Sequence, residues 1–209
     1  MRVVLVDPQK VYRDTIAASL EGIGGSEVVA EADTGESAIA CILRYKPDIA
    51  IVELAIPGVH GFSVISATQN QSKCRIVVTT HHCEEYTVHR LEKARVWGYV
   101  HKNPRFSDEI GNCLLTLRRN NIYFDAVYRD VRYRCLANPQ CFLKLLSPRE
   151  MVVFSLIGRG HSDDEIAVTL GRSPRTVQGH RNTISRKLRI YGGQKLTLLA
   201  LELGVSLFP

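Results

Sequence analysis

The sequence predicts an α/β doubly wound, five-stranded parallel sheet joined to a small all-α helix-turn-helix domain, and three observations carry that prediction. Five short β-branched runs alternate with segments of helical spacing over the first half of the chain. Serine caps followed by Pro or by Glu three residues later recur over the last third. A single glycine, Gly171, stands between two of those capped segments, leaving room for only a tight turn.

The strand runs are "RVVLV", "EVVAEA", "DIAIV", "RIVVT" and "GYVH". Ala38, Ile42 and Tyr45 show the helical spacing of the segments between them. Strands so uniformly apolar belong to a sheet covered by helices on both faces. Residues 1–118 are assigned to this domain and 119–145 to a linker, with turn signals at Asn120-Asn121 and Asn138-Pro139 and a short helix around 126–136. The third segment, 146–209, opens at Ser147-Pro148-Arg149-Glu150, an N-cap, a proline at the first helical position and a capping-box acid. Ser162 with Glu165 repeats the box, and Ser173-Pro174 opens the next helix.

Composition agrees with two ordinary domains: 209 residues, 45% hydrophobic and 23% charged. The N-terminal apolar run is too short for a signal peptide, and the longest later run, "LTLLALELGVSLF", is broken by Glu202, so no membrane span and a cytoplasmic location are expected. Six cysteines without a CxxC pair read as reduced thiols. The net charge of +6 is concentrated in the second half and points to an anionic partner, nucleic acid first. No nucleophile-base pair or nucleotide loop appears, so no enzyme activity, catalytic residue or cofactor is assigned.

In a doubly wound sheet the working crevice lies beyond the carboxyl ends of the strands. Asp7 closes the first strand, Glu53 the third, Thr79 the fourth and Lys102 the fifth, which brings two acids, a hydroxyl and an amine to one place. Each alone is an ordinary turn, strand or surface residue. With "PG" four residues after Glu53 and "KNP" after the fifth strand, the set reads as a pocket. The run "HHCEEYTVH" offers His81, His82, Cys83 and His89, all metal-ligand types, but neighbours on one loop rarely converge on an ion without a second ligand pair, and no metal is assigned.

On "ELAIPGVHGF", "VVTTHHCEEY" and "WGYVHKNP", the first half resembles a response-regulator receiver domain. That resemblance implies a second acid after Asp7 to hold magnesium, and an aspartate at position 53 to accept phosphate. This chain has Pro8 and Glu53 there, while Thr79, Tyr99 and Lys102 match the family's switch hydroxyl, aromatic and lysine. Proline offers no ligand oxygen, and glutamate carries its carboxylate about one ångström further out than the family's aspartate, against in-line attack. The fixed charge moves instead toward Thr79 and Lys102. Two readings stay open: Glu53 imitates the phosphorylated state, or it merely pairs with Lys102 in a decayed pocket.

In the helix opened by Pro174, Val177, Ile184 and Leu188 share one side, with His180 near it. The other side carries Arg175, Thr176, Gln178, Gly179, Asn182 and Arg186, flanked by Arg181 and Lys187, with no acid. Gln and Asn pair bidentately with adenine in the major groove and Arg with guanine, while flanking cations engage phosphate. From Leu146 to Val205 the sequence resembles the LuxR-type DNA-binding domain, so the whole chain is similar to NarL/FixJ-family regulators. Gln178 and Gly179 stand where relatives often carry lysine and a small or branched residue, so the target sequence is not transferable. The last helix lines up Leu196, Leu199, Ala200 and Leu203, widened by Leu198 and Leu201, and the resemblance implies that part of this stripe pairs two domains in a homodimer on two-fold DNA sites. The expected function is a DNA-binding transcriptional regulator acting independently of phosphorylation. The alternative is an interaction protein whose pseudo-receiver binds another regulator or a small ligand.

Overall fold

A computed structural model describes residues 1–69 and 71–207. Two compact units divide the chain: residues 1–83 with 90–130, and residues 84–89 with those from 131 onward.

In the first unit β1 (Arg2–Val6), β2 (Glu27–Ala32), β3 (Ile49–Val52), β4 (Arg75–Thr80) and β5 (Gly98–His101) alternate with α1 (Lys10–Ile23), α2 (Gly35–Tyr45), α3 (Gly61–Gln69), α4 (Glu85–Lys93) and α5 (Phe106–Arg118), the start of α4 belonging to the second unit. All strands pair in parallel in the order β2-β1-β3-β4-β5, and a sixth, β6 (Tyr123–Phe124), follows β5. The sheet therefore has six strands, not the five expected. The sixth lies in the segment read as linker. Asn120 ends α5 with a left-handed φ of 59°, and the chain returns so that Gly98 faces Tyr123 and Tyr99 faces Phe124. A two-residue strand is too short to show an alternating pattern.

The helices cover both faces because β1, β3 and β4 are apolar on both. Val3, Leu5, Ile49, Ile51, Val77 and Val100 pack against Ile16 and Leu20 of α1 and Ile110, Leu114 and Leu117 of α5. Asp7, Glu53 and Lys102 directly follow β1, β3 and β5, while Thr79 is the penultimate residue of β4. The in-register pairs Val6 with Val52 and Val52 with Val78 bring those strand ends together.

Helix α6 (Ala126–Ala137) begins on Asp125, which is buried and accepts hydrogen bonds from the amides of His101 at 2.6 Å and Tyr128 at 2.9 Å. The second unit continues with α7 (Phe142–Leu145), α8 (Pro148–Gly158), α9 (Asp163–Leu170), α10 (Pro174–Leu188) and α11 (Gly193–Glu202). Its core gathers Val153, Phe154, Ile157, Ile166, Val177, Ile184, Leu196, Ala200 and Val205. Both capping boxes form: the amide of Ser147 donates to Glu150 at 2.7 Å, that of Ser162 to Glu165 at 2.8 Å. Gly171 closes α9 at φ 59°, left-handed backbone that glycine adopts without strain and that turns α9 directly into α10. Among the described residues no helix is long and apolar enough to cross a membrane.

Candidate functional sites: an acid pocket and a nucleic-acid interface

Asp7, Glu53, Thr79 and Lys102 all lie buried at the carboxyl edge of the sheet. The Lys102 ammonium donates to Oδ2 of Asp7 and to Oε2 of Glu53, each at 2.5 Å. It also stands 3.9 Å from the centre of the Tyr12 ring on α1. The second oxygen of each acid is held by backbone: Oδ1 of Asp7 by the amide of Gln9 at 2.9 Å, Oε1 of Glu53 by those of Leu54 at 2.6 Å and Ala55 at 3.0 Å. Every carboxylate oxygen is thus matched to a donor. Gly61 contributes by what it lacks, since a Cβ there would stand 2.5 Å from the Glu53 carbonyl oxygen. The start of α3 can therefore lie directly against the Glu53 backbone.

Two acids share one ammonium, so the pocket keeps a surplus negative charge. Burial lifts the Asp7 carboxyl above the ordinary aspartate range, further than the hydrogen bonds from Lys102 and Gln9 bring it down.

The expected approach of Glu53 to Thr79 needs correction. The Thr79 hydroxyl is buried and has no hydrogen-bond partner among the described residues. Glu53 spends its extra methylene folding one oxygen back onto Leu54 and Ala55 and aiming the other at Lys102. Tyr99 is fully buried, and its hydroxyl donates to the His82 carbonyl at 2.8 Å. Pro8 is exposed. A magnesium ion does not fit this donor set, because Lys102 occupies one oxygen of each acid, backbone amides the other, and Pro8 supplies none. Tyr12 escaped the sequence reading, since nothing in its spacing marks a contact to a lysine 90 residues away.

On α10 the side chains of Arg175, Thr176, Gln178, Asn182 and Arg186 are exposed, as is Gly179, while Val177 and Ile184 are buried. The Gln178 amide nitrogen lies 3.4 Å from Oδ1 of Asn182, one turn on. Ser173 caps the helix, its oxygen accepting the Thr176 amide at 3.2 Å. The two flanking cations have acid partners within the chain. Arg181 donates through Nε at 2.8 Å and pairs through Nη2 at 2.7 Å with Oδ1 of Asp163, and Lys187 reaches Oε2 of Glu150 at 2.7 Å. Both are turned to acids of their own unit, at the starts of α9 and α8. Arg172, exposed in the α9–α10 turn, is a cation the sequence reading passed over.

The stripe on α11 also faces otherwise than expected. Leu196 and Ala200 are buried, and Leu199 and Leu203 pack on the same core. The outward apolar residues are Leu198 and Leu201 on the helix, with Tyr191 before it. The inner stripe seats α11, because its spacing matches the groove over Gly158, where a Cβ would come within 2.8 Å of the Ala200 Cβ.

Residues 3–109 match the model of the response regulator receiver domain, and residues 144–200 that of the luxR family of bacterial regulatory proteins. The chain belongs to the NarL/FixJ family of response regulators. It is 30% identical to the oxygen regulatory protein NreC of Staphylococcus aureus, over 97% of each chain, and 26% identical to the response regulator UvrY of Escherichia coli K12, over 98% of this chain and 95% of the relative. A structure of two RcsB dimers bound to two parallel DNAs covers 97% of this chain and 98% of its own at 22% identity, with a TM-score of 0.68, a likeness of fold. This member of the NarL/FixJ family is thus a DNA-binding response regulator of the LuxR type, with Glu53 and Pro8 in its receiver pocket.

Proposed function

We propose that this response regulator binds duplex DNA through the exposed face of α10 and that its receiver works without phosphoryl transfer. The observation that carries the second part is the double contact of Lys102, 2.5 Å from both Asp7 and Glu53. A phosphoryl group on Glu53 would have to displace that ammonium or the Leu54 and Ala55 amides, in a pocket whose carboxylate oxygens are all engaged by donors. The buried Asp7–Lys102–Glu53 clamp takes over the positions that donor and metal would use, and holds the receiver in one arrangement.

Base reading falls to Arg175, Gln178, Asn182 and Arg186, which are exposed on one side of a helix with no acid. Arg172, exposed in the turn before α10, supplies a cation for phosphate. Two copies read a two-fold site with half-sites about one helical turn apart, joined through the Leu198 and Leu201 side of α11.

The test incubates the purified chain with acetyl phosphate or phosphoramidate and magnesium, then measures intact mass and duplex affinity across a salt series. No added phosphoryl mass and an unchanged, salt-dependent affinity are expected. A phosphoryl group mapped to Asp7 or Glu53 defeats the phosphorylation-independent reading, and absence of duplex binding at low salt defeats the DNA-binding one.

A further inference from the structure

We propose that Glu85, Cys135 and Cys141 form a binding site for a thiophilic divalent cation of the zinc class. All three belong to the second compact unit. Their ligand atoms lie within 4.8 Å of one another, and Sγ of Cys141 stands 3.7 Å from Oε2 of Glu85. In a tetrahedral zinc site with sulfur at about 2.3 Å and oxygen at about 2.1 Å, neighbouring ligand atoms are roughly 3.5 to 3.8 Å apart. The Cys141–Glu85 edge already has that length, and the other two are no longer than 4.8 Å.

Spacing along the chain does not announce the site, because five residues separate the cysteines and the acid comes from the distant "HHCEEYTVH" run. The turn after α6 makes it. The Asn138 carbonyl accepts from the Cys141 amide at 3.2 Å and its side chain from the Gln140 amide at 2.9 Å, which folds Cys141 back toward Cys135 near the end of α6. Two sulfur ligands select zinc-class ions over magnesium or calcium. On binding, each thiol releases its proton to solvent as its sulfur takes the metal, leaving two thiolates, one carboxylate and a divalent ion with a net charge of minus one. Arg189 lines the adjoining hollow of about 320 Å³ that Glu85 and Cys141 also line, and brings a cation to it. Three protein ligands leave a fourth position for water or an added ligand.

The reduced, metal-stripped full chain is titrated with cobalt(II), whose thiolate charge-transfer absorption reports sulfur ligation. One equivalent should produce the band, and zinc should abolish it. Cys135→Ser and Cys141→Ser should each weaken binding at least tenfold, and Glu85→Gln several-fold with the band kept. On the unaltered chain, zinc should slow N-ethylmaleimide labelling of Cys135 and Cys141 at least fivefold while leaving Cys41, Cys74 and Cys83 unaffected. That comparison stands even where a variant does not fold. Absence of the band, its survival in the double cysteine variant, or labelling of Cys135 and Cys141 that ignores zinc would overturn the site.

Discussion

The Lys187 ammonium and the Ser147 amide converge on one oxygen, Oε2 of Glu150, each at 2.7 Å. Lys187, which by position on α10 reads as a phosphate contact, also joins the cap of α8. Burial pushes the Glu150 carboxyl up, but the Lys187 and Ser147 hydrogen bonds outweigh it and hold the group below the usual glutamate range. A carboxylate held low stabilises the fold above its unfolded pKa, and that contribution is lost as pH falls through the lower, folded value.

Lys187→Ala is therefore expected to cost about 1 to 2 kcal/mol of stability in the second unit, with duplex affinity per folded molecule changed less than about twofold. Arg186→Ala, whose side chain is exposed, should do the reverse. Thermal melts read alongside fluorescence anisotropy on one duplex decide between them. A Lys187→Ala protein of unaltered melting temperature and weakened DNA binding would return this lysine to the phosphate contacts.

Gln178→Ala and Asn182→Ala should each relax base preference at a cognate site by roughly 1 to 3 kcal/mol. The two side chains are neighbours on the free helix, 3.4 Å apart, so their losses are expected not to add. Selected binding sites from a randomised duplex pool give the readout, and an unchanged preference in both variants refutes the groove assignment.

Glu53→Gln removes a charge but leaves Lys102 with Asp7 as partner, and the amide oxygen can still accept from Leu54 and Ala55 provided the ammonium shifts toward Asp7, away from the new NH2 donor. The fold should hold, with stability within about 1 kcal/mol of the parent. Affinity for a two-fold site and the dimer fraction should fall several-fold, because the ammonium is then clamped from one side only. Sedimentation and anisotropy measure both, and no change in either would reduce Glu53 to a structural partner of Lys102.

Asp7 gives the opposite pH dependence to Glu150. Its carboxyl is raised by burial, so its contribution to stability is fully present below the ordinary aspartate pKa and is lost as pH rises through the higher, folded value. Asp7→Asn, neutral at every pH, should match the parent in acid and exceed it at pH 7. Denaturant titrations at a series of pH values test this, and a variant less stable than the parent at pH 7 contradicts it.

What the sequence discloses and what it hides divide along the range of the interactions. The caps at Ser147, Ser162 and Ser173 and the Gly171 turn were legible because each is settled within three or four residues. The pocket members Asp7, Glu53, Thr79 and Lys102 were legible because strand ends in a parallel sheet share one edge. Pairings across 37 residues, as between Glu150 and Lys187, or 18, as between Asp163 and Arg181, leave no periodic trace, so neither ion pair is readable from the sequence. The same holds for the Thr79 hydroxyl, which is buried without a hydrogen-bond partner among the described residues. On α11 the apolar stripe was visible, but helical spacing alone does not say which side faces inward.

The short strand β6 has one more effect, on how the sheet meets other chains. Strand edges with unpaired amides and carbonyls invite a foreign strand to add on. Here β5 is covered by β6, whose two residues, Tyr123 and Phe124, give an incoming strand almost nothing to pair with. At the opposite edge β2 carries exposed Glu27 and Glu31, the latter paired with Arg13 at 2.6 Å, so charged rather than apolar side chains flank that edge. Both borders are thereby guarded against strand addition and runaway sheet growth, so a protein that docks on this unit must recognise side chains on helices and loops rather than bare backbone.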